Sequence, residues 1–227
     1  MEYNAKLTPL DGEPISDATR YRQLVGSLIY LTITRSNISH AVGMVSKFMD
    51  APHSVYYAAI LRILRYVKGT LYHGLHYSSR SSLELHAYSN ADWACDPIDR
   101  CSITGFYFLL GTSLVSWRSK KQDIVSRSNT EAEYCALVNT TCELVWLRLF
   151  LVDMDAPQPT ATPLYCGNHS AIYIAHNDVF HEHTKHIEID YHITHQHLKK
   201  GNLKLFSISF ADHPVDIFTK SHPPGRL

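Results

Sequence analysis

The residues of this chain best suited to chemistry are acidic or amide side chains spread over four separated stretches. The stretch Leu85-His-Ala-Tyr-Ser-Asn-Ala-Asp-Trp-Ala-Cys95 alternates apolar and polar residues and then stops at small polar ones. It reads as a strand with Leu85, Ala87 and Ser89 on one face and His86, Tyr88 and Asn90 on the other. Such a strand carries Asn90, and Asp92 just past it, to the end of a sheet, where a rigid scaffold usually presents functional groups. Glu131 and Glu133, the run Cys166-Gly-Asn168, and Asp216 come from later segments that can converge on the same end. Carboxylates from separate segments that meet at one point suit a hard divalent cation. Two Mg²⁺ ions roughly 4 Å apart serve phosphodiester hydrolysis, one activating water and the other stabilising the leaving oxygen. Judged by spacing alone, most Asp and Glu side chains are simply solvated, and these residue types do not by themselves establish a site.

The elements that must hold these groups follow from periodicity. Residues 1–17, with Pro9, Asp11-Gly12 and Pro14, read as an extended lead-in. Ser16 or Asp17 can cap a helix with Leu24, Leu28 and Leu31 as its apolar stripe. Ser36 or Asn37 can start a second helix through Val42, Val45 and Phe48, which Pro52 ends. A third runs to Gly69, with Val55, Ala59, Ile60, Ile63, Leu64 and Val67 opposite Arg62, Arg65 and Lys68. After Thr70 the pattern changes to strands over 74–78, 83–90, 103–110 and 113–117, with Gly111-Thr112 as a hairpin turn. A long helix follows from about Thr130 to Val152, and its stripe is Ala132, Ala136, Leu137, Leu144, Leu147 and Leu151. Within it Glu131 and Glu133 are two apart, so only one can point at the sheet. A strand at 163–166, helices at 170–175 and 185–200, a strand at 203–209 and a last helix starting at Asp212 or His213 complete the order. The class is α/β (α+β), a mixed central sheet flanked by helices behind a small helical segment.

Composition narrows the function further. The 227 residues carry 21 Lys and Arg against 21 Asp and Glu, so a nucleic-acid surface must be a local patch and not a basic tail. One such patch is Arg118-Ser-Lys-Lys121 with Arg127 and the adjacent Trp117, because cations beside aromatics suit a phosphate backbone; a solvated loop is an equal reading of the same residues. Five Cys without a C-x-x-C pair read as reduced thiols, which suits a cytosolic or nuclear and not a secreted protein. Met1 to Lys6 lack the pattern of a signal peptide, and no apolar run is expected to reach the roughly 20 residues that span a bilayer. Among 15 His, the pair His192 and His195 shares a helical face, and His181, His183, His186 and His197 lie nearby. No Cys or carboxylate sits beside them at finger-like spacing, so a polar helix face is the better reading than zinc.

Six stretches carry a family resemblance. Tyr21-Arg-Gln-Leu-Val-Gly-Ser-Leu-Ile-Tyr-Leu31, Arg62-Ile-Leu-Arg-Tyr-Val-Lys-Gly-Thr70, Ser116-Trp-Arg-Ser-Lys-Lys-Gln122, Thr130-Glu-Ala-Glu-Tyr134, Thr184-Lys-His-Ile-Glu-Ile-Asp190 and Asp216-Ile-Phe-Thr-Lys220 occur in order. Together they resemble the C-terminal part of the Pol polyprotein of copia-type LTR retrotransposons. The resemblance implies that 18–73 is the helical tail of a reverse transcriptase and 74–227 a ribonuclease H-like domain. Such a domain cuts the RNA strand of an RNA–DNA hybrid with two Mg²⁺ ions held by four carboxylates. It also implies partners: the hybrid or other nucleic acid, and remaining Pol segments, polymerase among them. Polymerase contact would leave the apolar stripe of 18–69 uncovered in this chain. No Tyr-x-Asp-Asp pair with a strand-turn-strand context is present, so reverse transcription by this chain alone is not expected.

Carried over position by position, the family's metal ligands match unevenly. Glu133 and Asp216 match two of the carboxylates. The family's central Asp is Asn90 here, and its Asp after a Tyr-Cys pair is Gly167. Asp92, two residues further along, is a candidate substitute, and His186 a candidate neighbour of the scissile phosphate. Asn keeps a carbonyl oxygen but no charge, and Gly offers no side chain. The formal charge of the cradle falls from four negatives to two, and a reluctantly dehydrating Mg²⁺ is held by charge and geometry. The sequence therefore predicts weakened Mg²⁺ binding and an impaired or inactive nuclease.

Overall fold

The computed structural model describes residues 7–8, 11–177, 185–209 and 215–220, with the backbone alone for 185–191. Helices α1 (Ala18–Leu31), α2 (Ser39–Ser46, preceded by a 3₁₀ turn, Ser36–Ile38) and α3 (Ser54–Gly69) come first. Strands β1 (Leu85–Asp92), β2 (Ile103–Leu110) and β3 (Ser113–Lys121) then lead into α4 (Asn129–Asp153). After α4 come β4 (Thr162–Cys166), α5 (His169–His176), α6 (Lys185–Lys199), β5 (Leu203–Ser207) and α7 (Asp216–Thr219).

The strands form one sheet in the order β3-β2-β1-β4-β5. Neighbours β1, β2 and β3 run antiparallel, joined at β2–β3 by Gly111-Thr112 with Gly111 at φ +59°. Strands β4 and β5 add to the other side of β1 in parallel, and α4 and then α5–α6 form the crossovers that parallel pairing requires. This puts β1 at the centre, with Asn90 paired to Gly105 of β2. Leu85 and Ala87 of β1 face α4, whose Leu137, Leu144 and Leu147 join Phe106, Phe108 and Leu164 in the main core. The other face of the sheet carries a row of stacked rings, Tyr107, Tyr88, Tyr165 and Phe206, across four strands. Cross-strand aromatic pairs of this kind stabilise and register a sheet.

The stripe expected for α4 is the one buried, and at its start Ser128 caps the helix by accepting from Glu131 N–H at 3.1 Å. Contrary to the expectation that no apolar run approaches a bilayer span, α4 is long and apolar enough to cross a membrane by length and composition. Ten of its residues are nonetheless buried against the sheet and its neighbouring helices.

Two local expectations change. Residues 74–78 form no strand, and the run Gly74-Leu-His-Tyr-Ser is an irregular approach to β1 with no strand to pair with. The second helix opens with a 3₁₀ turn after Arg35, and neither Ser36 nor Asn37 caps it. Of the two caps expected for α1, Asp17 is the one that accepts from Arg20 N–H, at 2.8 Å. A start of the last helix at Asp212 or His213 lies outside the described residues.

The helical segment also buries its own stripe. Tyr21, Val25 and Leu28 of α1 pack on Val42 and Val45 of α2 and Tyr56, Ile60 and Ile63 of α3, closing a second core. Of the stripe expected for α1, Leu28 is buried and Leu24 and Leu31 are half-buried at the rim of this core, while Val55 of the stripe expected for α3 is exposed, as are Ile29, Tyr30 and Ile33.

This segment is tied to the sheet by specific polar contacts. Trp117 on β3 donates Nε1–H to the Thr32 carbonyl at 3.0 Å. Asp96, in the loop after β1, is 1% exposed and accepts ion pairs from Lys47 beyond α2 (2.9 Å) and Lys121 at the end of β3 (2.8 Å). Burial by itself would raise the Asp96 carboxyl, but hydrogen bonds from Lys121 and Lys47 and from the Ile98 N–H hold it well below the usual carboxylate range. A carboxyl depressed in the folded state contributes stability that is present above its unfolded value and lost as pH falls through the folded one. Asp96→Asn should therefore lower stability at neutral pH by about 2–4 kcal/mol in urea melts. The deficit relative to the parent should shrink as pH drops below about 4.

Candidate metal centre

The carboxyl end of β1 is where four segments meet. The Asn90 side chain is fully buried and donates Nδ2–H to Asp216 Oδ1 at 2.8 Å and to Thr219 Oγ1 at 3.3 Å. Its own Oδ1 has no hydrogen-bond partner and no solvent contact. A hydrogen bond from a neutral amide to a buried carboxylate contributes about 1.5–3 kcal/mol. Lys220 reaches the same carboxylate oxygen at 3.3 Å.

Glu133 approaches from the first turns of α4 and is 1% exposed. Burial pushes its carboxyl up to about 8, and the nearby Asp216 and Asp92 act the same way; the Ala91 N–H and Lys220 oppose them. Glu131 lies on another face and accepts from Arg127 N–H at 2.7 Å, so it completes the helix start and takes no part in the site. Asp92, the last residue of β1, lies within electrostatic reach of Lys220 and Asp216, and burial raises its carboxyl. At the end of β4 the buried Cys166 places Sγ 4.0 Å from Glu133 Oε2. Burial, reinforced by Glu133, pushes the Cys166 thiol up to about 12, so it is no nucleophile at neutral pH. Gly167 follows directly and is also buried.

The positions of the expected cradle therefore come together: Asn90, Glu133, Gly167 and Asp216, with Asp92 at the margin. The seating of the last segment depends on Gly105, the partner of Asn90 across β1–β2. A Cβ there would lie 2.6 Å from Thr219 Cγ2 and 3.0 Å from Val215 Cγ1, so only glycine lets α7 rest on the strands. Gln122 fixes the other side: its Nε2 donates to Thr104 Oγ1 and to the Ala132 carbonyl, and its Oε1 accepts from Ser126. That bracket ties β2 and the loop before α4 to the turn carrying Glu133. Sequence reasoning missed Gly105, Gln122, Thr219 and Lys220. A glycine inside an otherwise apolar strand was the available signal for the first, since it marks a close approach of another backbone.

The residues present do not fit a pair of divalent ions. Asn90 turns its amide nitrogen to Asp216 and has only a neutral, unpartnered Oδ1 to offer an ion, Gly167 has no side chain, and the Lys220 ammonium lies 3.3 Å from Asp216 Oδ1. Among the described residues no group of three or more His, Cys, Asp or Glu side chains is arranged to hold a metal. His186 lies in the first turn of α6, its side chain outside the described residues, as are His181 and His183. His195 of the weighed zinc pair contacts the Ala175 carbonyl instead.

The basic patch divides. Arg118 and Lys120 project from one side of edge strand β3 and line a cleft against Val138 and Asn139 of α4. Lys121 also borders this cleft, with its ammonium paired to Asp96 and Asp99. Lys120 also pairs with Asp123 at 3.3 Å, and Arg127 is exposed at the mouth of α4.

The sheet order, the antiparallel and parallel pairings and the meeting of these segments at the end of β1 define a ribonuclease H-like domain. The Pol polyprotein of transposon RE1 from Arabidopsis thaliana is 42% identical over 220 residues, 97% of this chain and 15% of that protein. The Pol polyprotein of transposon TNT 1-94 from Nicotiana tabacum is 38% identical over 230 residues, spanning this whole chain and 17% of its own length. Over nearly its whole length the chain thus matches a C-terminal part of the retrovirus-related Pol polyproteins of copia-type retrotransposons, and it spans less than a fifth of the length of these relatives. Among solved structures, LC11-RNase H1 in complex with an RNA/DNA hybrid superposes with a TM-score of 0.44 at 16% identity, covering 60% of this chain and 94% of that one. No protein-family model matches the chain.

The raised Glu133 carboxyl has a measurable consequence. The unfolded chain releases this proton near pH 4.5 and the folded one near 8, so stability falls as pH rises across that interval. Glu133→Gln should remove the fall. Its stability advantage over the parent should grow between about pH 5 and 8 and reach the order of 3 kcal/mol in chemical denaturation.

Proposed function

We propose that this chain is the ribonuclease H-like part of a retrotransposon Pol polyprotein whose cutting centre is disabled. Residues 74–227 form that domain, 18–73 correspond to the end of the reverse transcriptase, and 1–17 are the lead-in. The observation that carries the reading is the 2.8 Å hydrogen bond from Asn90 Nδ2 to Asp216 Oδ1. A neutral amide that turns its nitrogen to Asp216 brings no charge to a shared cation, so the central position holds Mg²⁺ far less well than a carboxylate would. Gly167 removes a second ligand, which leaves Glu133, whose carboxyl burial pushes up to about 8, and Asp216, already paired with Lys220. The purified protein should show no cleavage of an RNA–DNA hybrid with Mg²⁺ or Mn²⁺. Asn90→Asp combined with Gly167→Asp should return measurable cutting. Turnover by the unmodified chain comparable to an intact relative would overturn the reading.

A second activity is compatible with a silent centre, namely binding of the hybrid or another nucleic acid without cutting. It is favoured by Arg118 and Lys120, exposed together along the cleft of the edge strand. Lys121 also lines that cleft, but its ammonium is held by Asp96 and Asp99, so its part in binding is the smaller one. Each neutralised phosphate releases counterions, so replacing Arg118 and Lys120 with alanine should weaken hybrid binding at low salt and flatten the log–log salt dependence by about 2. Lys121→Ala should flatten that slope less. An equal flattening by Lys121→Ala, or no hybrid affinity at low salt, would remove this activity from the account.

A further inference from the structure

The mismatch between the donor set and a metal pair has a definite form. Asn90, Thr219 and Lys220 all direct polar groups at the Asp216 carboxylate or its immediate surroundings. The Lys220 ammonium is also close enough to act on Glu133 and Asp92. Every carboxylate of the cluster is thereby answered by a positive or donor group belonging to the chain.

We propose that the Asn90 amide takes the place of a cation beside Asp216, so that α7 docks on the end of β1 without any divalent ion. The packing supports this. Gly105 lets Thr219 and Val215 rest directly on the strand, where a Cβ would collide with both. Val215 and Phe218 are themselves buried against Tyr107. An entering Mg²⁺ would have to break the Asn90–Asp216 hydrogen bond, turn the amide and displace the ammonium. In a cradle with carboxylates at those positions the like charges repel unless a cation lies between them. Here the closure is internal. The proposal rests on the disabled-centre reading and is read by melting without substrate, so magnesium-dependent melting without hybrid cleavage would overturn it and leave that reading standing.

The test is thermal melting of the full chain in EDTA and in excess MgCl₂, with two variants. The unmodified protein should melt at the same temperature in both. Asn90→Asp sets two carboxylates where a 2.8 Å donor–acceptor pair stood. In EDTA it should melt lower by about 5 °C or more, with magnesium recovering most of the loss. Lys220→Met keeps chain length and removes the charge at a partly exposed position while leaving the Asn90–Asp216 hydrogen bond in place. Its melting temperature should stay as indifferent to magnesium as that of the parent. A magnesium gain in Asn90→Asp that is absent from the parent and from Lys220→Met supports the proposal. A parent or a Lys220→Met variant that gains as much from magnesium as Asn90→Asp, or an Asn90→Asp variant as indifferent to magnesium as the parent, would overturn it.

Discussion

Removing carboxylates from water at the end of a sheet demands a compensating charge or donor, and in this protein a single buried hydrogen bond, Asn90 to Asp216, meets most of that demand. An ionised group in low dielectric is strongly disfavoured unless it is paired or accepts hydrogen bonds. Asp216 has the Asn90 amide and the Lys220 ammonium. Glu133, with only the Ala91 N–H and a more distant ammonium, responds by holding its proton to about pH 8.

The fold exists around this point in a literal sense. Strand β1 is the middle of the sheet and delivers Asn90; α4, packed across the sheet through Leu137 and Leu144, delivers Glu133; the parallel β4 delivers Gly167. The last helix has only four residues and little area of its own, so its placement depends on Gly105 and on the contacts to Asn90. On the far side, Asp96 gathers Lys47 and Lys121 and so couples the first helices to the loop that follows β1. Two charge clusters on either side of one strand end therefore set the relation of α7 and of the helical segment to the sheet. One of them is formed almost wholly by the loop and the neighbouring helices, the other by the chain's last described turn.

Much of this was legible in the sequence, for physical reasons that differ by element. The period of α4 was plain because six apolar residues repeat over a long helix, and the alternation of 85–90 fixed which residues share a face. The choice between Glu131 and Glu133 followed from helical geometry alone. The run 74–78 misled because a short apolar–aromatic stretch has strand propensity without a partner strand, and pairing decides such cases. The helical stripe of 18–69 pointed to an absent polymerase, whereas three helices of this length can close a core among themselves. The site's gaps at Asn90 and Gly167 were visible as residue types set against a family pattern. What filled them was not: no period or motif tells that an amide will turn its nitrogen toward a carboxylate, or that Lys220 will fold back on Asp216 four residues earlier. Those outcomes depend on tertiary contacts within the pocket.

The most direct measurement of the central claim is a crystal structure of the unmodified chain grown or soaked in manganese, with anomalous scattering recorded at the manganese edge. The account predicts no anomalous peak between Asn90, Glu133 and Asp216, and an Asn90 side chain still donating to Asp216 Oδ1. A pair of peaks bridging Glu133 and Asp216, with Asn90 turned to offer its carbonyl oxygen, would contradict it.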